Sequence, residues 1–263
     1  MARGGGRTLI DAWIVAFSLI LVRVSLFVGM LPLFGGRNLP RIVKVGMSVG
    51  LATMWFCSFG VIPSSFVFEM SAGSHWLGFL VAIGREALFG AMLGFAFGLF
   101  LLPARIAGAY VAQEMGLNLA AISDPSAQDS ATVLAQMFEA LGILLFFGLD
   151  FHHVILSALH LTFIRWPVGS PISAFPTVPL MNGMVHAQEW GLLLAAPMAI
   201  CLFLTVVALT LMMKVAPQLN LFSIGLTLRI GAGLLAVLFF LPDVCLLMQQ
   251  VFNQMSQLVY DLI

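Results

Sequence analysis

Apolar residues in this chain run together in long blocks, separated by short breaks rich in Pro, Gly and Arg. The blocks fall at about residues 12–34, 42–62, 76–102, 104–120, 127–149, 151–164, 190–213 and 222–241. Each reads as a helix, because uninterrupted apolar runs of this length exceed what strands use. Several match the roughly 20 residues that cross a bilayer, and others are too short or too broken. The strings "PLFGGRNLPR" (32–41) and "VIPSSFVFEMSAGSH" (61–75) close the first two blocks, and "RWPVGSPISAFPTVPLMNGMVHAQ" (165–188), with four prolines, reads as an ordered extended loop. Beyond the last block, the tail 244–263 reads as an amphipathic helix. Its stripe holds Val244, Leu247, Met248, Val251, Met255, Leu258, Val259 and Leu262, with Gln and Asn opposite and no Lys or Arg. A membrane-surface helix usually carries basic residues on its polar face, so this one is expected to pack on a partner helix or a neighbouring hairpin.

Composition turns these blocks into a membrane protein. Of 263 residues, 61% are hydrophobic and 8% charged, with mean hydropathy +1.09. Soluble domains are about half apolar and a quarter charged, so too little polar surface exists here for a water-facing shell. The expected fold is an all-α membrane protein of packed helical hairpins, one domain over 1–263. Eleven basic and eleven acidic residues cancel, which removes any net basic field for nucleic acid. Cys57, Cys201 and Cys245 lie far apart in apolar runs and suggest no disulfide framework or metal site. The N-terminal apolar stretch outruns a signal peptide's core and is interrupted by Asp11 and Arg23, so it reads as a retained helix.

Charge placement complicates a simple topology. Arg3 and Arg7 precede the first block and Arg37, Arg41 and Lys44 follow it, so both ends look cytoplasmic. Arg23, Arg85, Glu86, Glu114, Glu139 and Arg229 lie within apolar segments. At a lipid-facing helix centre each would cost about 2.5–3.5 kcal/mol, so each needs a partner or water. Ion pairing between helices or subunits, or a proton or substrate relay, would supply one. Asp150, His153 and His160 share a helix face at most; without HExxH or a comparable set, a structural or interfacial role is expected.

Small residues form a second pattern. Gly90, Gly94 and Gly98 recur every fourth position in "GAMLGFAFG", and past Pro103 the spacing continues through Ala104, Gly108, Ala112, Gly116 and Ala120. Such ridges let membrane helices pack closely. They lead into "MGLNLAAISDPSAQDS" (115–130), where Asp124-Pro125 reads as the start of a new helix: Asp caps free N–H groups and Pro suits the first turn. That leaves a short loop of small residues, and irregular backbone at membrane depth is tolerated only when buried or lining a cavity.

The most specific string is "KVAPQLNLFSIGLTLRIGAGLL" (214–235). Its Ala216, Pro217, Gln218, Leu219, Asn220 and Gly225 resemble the APQLN signature of the FliR/SpaR-type proteins, the export-gate family of type III secretion systems. Arg23 with Pro32, Gly35, Pro40 and Arg41 resembles that family's N-terminal pattern, Glu86 its mid-segment acid, and the passage through Asp124 and Pro125 its central DP stretch. Thr227 and Arg229 stand where the family often has proline and lysine, and Asp150-Phe151-His152 departs from its usual Asn/Gly-His.

The resemblance implies a single-copy subunit of a helical export gate, without cofactor or catalytic site. The gate would be assembled with P-type and Q-type subunits and would work with a membrane switch protein of the FlhB type and an FlhA-type export component. Its place would be the bacterial inner membrane, in a flagellar basal body or an injectisome base, the flagellar system being favoured. Unfolded proteins would pass through it, and Met115, Gly116, Leu117, Asn118, Leu119, Ala120, Ala121, Ile122 and Ser123 would help plug the pore. The alternative is a secondary transporter using Arg85, Glu86, Glu114 or Glu139 as ion sites. An intramembrane enzyme has no support in HExxH, GxSxG or paired-Asp motifs.

Overall fold

The computed structural model describes residues 5–31, 40–59, 75–117, 133–169, 177–215 and 221–262. These form eight helices: α1 (Gly5–Met30), α2 (Arg41–Phe59), α3 (His75–Gly98), α4 (Leu102–Met115), α5 (Val133–Gly148), α6 (Phe151–Arg165), α7 (Thr177–Val215) and α8 (Leu221–Leu262). No strand occurs among the described residues. Four stretches are long and apolar enough to cross a bilayer: Trp13–Met30, Trp76–Gly98, Leu180–Met212 and Gly225–Gln257. A fifth exists if α5 and α6 count as one broken span.

The expected loop at 165–188 is corrected in its second half, since α7 begins at Thr177. Pro179 sits in the first turn, where its missing N–H would have no helical acceptor anyway, and Pro197 is carried inside the helix. The expected break between residues 241 and 244 is likewise absent. α8 runs through Pro242, so the amphipathic tail continues the preceding apolar helix.

The chain divides into two compact units. The first comprises Met1–Gly98, His153–Val178 and Val259–Ile263. Within it α1 packs on both α2 and α3. Trp13 and Phe17 meet Phe56 edge to face, and Phe27 meets Phe97 at 5.9 Å. Arg23 lies beside Gly90 and Phe27 beside Gly94, so α1 and α3 run parallel. Trp55 of α2 is buried and donates its indole N–H to His160 Nδ1 at 3.2 Å. That bond gives His160 a structural part.

The second unit comprises Leu99–His152 and Pro179–Leu258. α4 lies antiparallel on α5, with Gly108 against Ala135 and Phe138, and Ala104 against Gly142. Phe100, Phe146, Phe151 and Phe252 form one aromatic cluster with centroid separations of 5.3–6.4 Å. Through Phe252, Val244, Met248 and Val251, the apolar stripe of the tail is buried within the chain's own fold. Asp150 adopts φ 60 at the break before α6, a left-handed conformation that Asp tolerates better than most residues.

Candidate functional site: an ionic clasp and the base of the central loop

In the first unit, Arg23 is fully buried and its guanidinium is engaged on every side. Nε donates to Glu86 Oε2 at 2.5 Å, Nη1 to the Thr162 carbonyl at 3.3 Å and Nη2 to the Trp166 carbonyl at 3.1 Å. Its cationic carbon lies 4.5 Å from the Phe163 ring centroid and 5.2 Å from that of Phe89. Phe89 in turn stacks on Trp166. The other Glu86 oxygen accepts the Gly169 N–H at 3.0 Å, and Arg85 Nη2 donates to the Gly169 carbonyl at 3.1 Å.

Helix ends leave backbone carbonyls without intrahelical donors. Here Arg23 serves the Trp166 carbonyl just past the end of α6 and adds a second donor to the Thr162 carbonyl, which already accepts the Trp166 N–H at 2.9 Å, and Glu86 and Arg85 hold the turn beyond. Taking two charges out of water is costly and is recovered only with full hydrogen bonding. The clasp meets that requirement, with both Glu86 oxygens and all three Arg23 nitrogens used. Each Glu86 oxygen thus accepts one hydrogen bond inside the protein. Gly90 completes the arrangement: a Cβ there would overlap the Arg23 carbonyl, so only glycine admits the approach of α1 that aligns the pair. At Gly94 a Cβ would lie 2.8 Å from the Phe27 carbonyl oxygen, whereas Gly98 is half-buried at the end of α3.

In the second unit the ridge continues on α4. Ala104, Gly108 and Ala112 are buried, and a Cβ on Gly108 would come within 2.7 Å of the Ala135 Cα. α4 ends at Met115, which is fully buried. Gly116 adopts φ 80, its N–H donates to the Gln113 carbonyl at 2.9 Å, and the Leu117 N–H donates to the Ala112 carbonyl at 3.1 Å. This is a Schellman stop, in which a left-handed residue lets two orphan carbonyls find donors. The central loop therefore starts at Gly116, from an anchored Met115. α8 supplies the other side of the anchor, since a Cβ on Gly233 would lie 2.5 Å from Met115 Cγ.

Asn118 to Ser123, with Asp124 and Pro125, lie outside the described residues, as do Pro32, Gly35 and Ala216 to Asn220. Pro40 and Arg41 are exposed at the start of α2, and Gly225 is buried in α8. Glu114, Glu139 and Arg229 are half-buried and join no ion pair among the described residues. Arg229 Nε is buried without a hydrogen-bond partner.

Sequence reasoning missed Thr162, Trp166 and Gly169, which contribute only backbone groups to the clasp. It also passed over Gly191 and Gly233 as contact points. Gly191 abuts Ile106, where a Cβ would meet side-chain carbons at 2.8 Å. A glycine embedded in a long apolar helix was the available signal, because each costs about 1 kcal/mol against alanine unless close packing requires it.

Long apolar helices, an ion pair closed within the protein and a ridge of close-packing glycines define an integral membrane protein built as a scaffold. Comparison with known proteins gives that scaffold its family. Residues 14–255 match the family described as bacterial export proteins, family 1, and the chain belongs to that family. It is 29% identical over 257 residues to the flagellar biosynthetic protein FliR of Escherichia coli (strain K12), covering 96% of this chain and 94% of that one. With the protein of the same name from Bacillus subtilis (strain 168) it is 26% identical, over 90% of each chain. The Yop proteins translocation protein T of Yersinia pestis is 27% identical over 61% of this chain and 63% of its own. Likeness to the flagellar proteins thus extends over more of the chain. The protein is a membrane component of a type III secretion export apparatus, and it is not an enzyme.

Proposed function

We propose that this chain is a subunit of the export gate in the bacterial inner membrane, helping to form the channel for unfolded flagellar proteins and closing it with the loop that follows α4. P-type and Q-type gate subunits would surround it, with FlhB-type and FlhA-type components as working partners. The observation that carries this reading is the seat of the loop. Met115 is buried, Gly233 of α8 closes on it, and Gly116 turns the chain out of the helix with both end carbonyls satisfied. A plug needs such a fixed base, because a loop tethered to a yielding helix end would not hold a pore shut against a pressure of solutes.

Deleting Gly116 to Ala121 tests it. The expected outcome is an assembled complex whose host membrane leaks small solutes, read as dye entry or growth sensitivity. Assembly with unchanged permeability would sink the plug assignment.

A further inference from the structure

Helix α2 packs mainly on α1, where Phe56 meets Trp13 and Phe17 edge to face. Its reach to α6 goes through the neighbouring Trp55. The indole N–H of Trp55 donates to His160 Nδ1 at 3.2 Å, and its ring lies 6.0 Å from that of Phe163. Phe163 in turn carries the Arg23 guanidinium at 4.5 Å, so this contact adjoins the clasp. All of these residues belong to the first unit.

The bond to His160 requires one protonation state. An indole nitrogen can only donate, so the nitrogen facing it must offer a lone pair. In this bond His160 Nδ1 is therefore unprotonated, and the ring is the neutral tautomer with its proton on Nε2. In the imidazolium form both ring nitrogens carry hydrogen and neither can accept. Proton uptake at Nδ1 would set two N–H groups against each other at bonding distance. It would also deprive the Trp55 N–H of this acceptor, and Trp55 is only 2% exposed, a setting in which polar groups are rarely left unbonded.

The charged and titratable groups nearby come from every helix of the contact. Arg23 of α1 lies beyond Phe163, with Arg85 and Glu86 of α3 behind it. α6 brings His153, two turns before His160, and the exposed Arg165 after it. α2 brings Lys44, three turns before Trp55, and the exposed Cys57, two positions after it. Arg23 and Glu86 are engaged with each other, and His160 is the titratable group that bonds Trp55.

We propose that His160 is a proton-sensitive latch: neutral, it holds α2 on α6 through Trp55, and protonated, it releases that contact while α2 stays on α1. Histidine is the side chain whose charge changes between about pH 5 and 8, so the latch is closed at the upper end of that range and opens toward the lower. It does not depend on the gate reading, because every group it uses lies within this chain.

NMR of the indole N–H groups and amide hydrogen exchange, both on the full chain in lipid nanodiscs, test it. The Trp55 resonance is identified by its loss in Trp55→Phe. Between about pH 8 and about pH 5 it should move upfield in the proton dimension as its hydrogen bond is lost. Amide protection from Ala52 to Ser58, corrected for the intrinsic pH dependence of exchange, should fall about tenfold over the same range. His160→Asn places an amide oxygen near the position of Nδ1 and takes up no proton in this range. It should keep the bonded resonance and lose the pH response of both signals. Trp55→Phe removes the donor instead, and its α2 protection should be low and flat with pH. A Trp55 resonance that does not move with pH overturns the latch. So does a pH response that persists in either variant, since another group would then be its source. A resonance that moves while α2 protection stays constant overturns it too, because the bond would not be what holds the helix.

Discussion

Arg23 and Arg229 are the same residue type set in two apolar helices, and the protein treats them oppositely. Around Arg23, three polar partners and two aromatic rings close in from α3, from α6 and from Trp166 just beyond it. Around Arg229, no ion pair forms among the described residues, and one nitrogen is buried without a partner. The first unit pairs Arg23 with Glu86 within the chain, although Arg85 Nε, like Arg229 Nε, is buried without a partner; in the second, which packs by aromatic and small residues, Glu114, Glu139 and Arg229 join no ion pair among the described residues. A charge paired inside a unit supports that unit's own fold, whereas an unpaired one contributes little to it.

The sharpest way to break this contrast is to remove one half of the clasp. Glu86→Ala should cost about 3–5 kcal/mol in unfolding free energy measured in detergent, because Arg23 is left buried and uncompensated. The double change Arg23→Met with Glu86→Leu should recover much of that loss, since a packed apolar pair avoids the desolvation penalty. Equal instability of single and double variants would show that the hydrogen bonds to the end of α6 dominate instead.

Glycine packing gives the next effect. Gly90→Ala and Gly108→Ala should each destabilise by about 1–3 kcal/mol, read as lower melting temperatures, through forced separation of helices. Gly46→Ala is the control. Nothing lies within 4 Å of a Cβ there, so alanine should be neutral or stabilising by up to about 1 kcal/mol from helix propensity.

The smallest change is expected at the open charges. Arg229→Gln or Glu139→Gln should alter the chain's own stability by less than about 1 kcal/mol, there being no ion pair among the described residues to lose. A loss as large as that of Glu86→Ala would erase the distinction between the two units.

Much of this was legible beforehand. The apolar blocks fall close to six of the eight helices, and the glycine ridge, the ionisable residues in apolar segments and the family string are visible in the residues themselves. Arg23 and Glu86 each stand out as misplaced charges, but they are 63 positions apart, and no local pattern joins them. Thr162, Trp166 and Gly169 were invisible because backbone carbonyls and amides have no side-chain signature. Helix continuity is longer than the blocks suggest at two places, past Pro179 and through Pro242: a breaker in isolation is tolerated in a first turn or within a long helix.

By itself, then, the sequence determined the solvent and the secondary structure, because hydropathy and helical period are local sums over neighbouring residues. It also carried the family, through strings that need no folding to be read. Which charges are closed and which stay open was decided only by tertiary structure, since pairing depends on helices that meet far apart in the chain. The same holds for Met115: its place in the sequence marks the edge of a loop, and only the approach of Gly233 on α8 makes that edge a fixed seat.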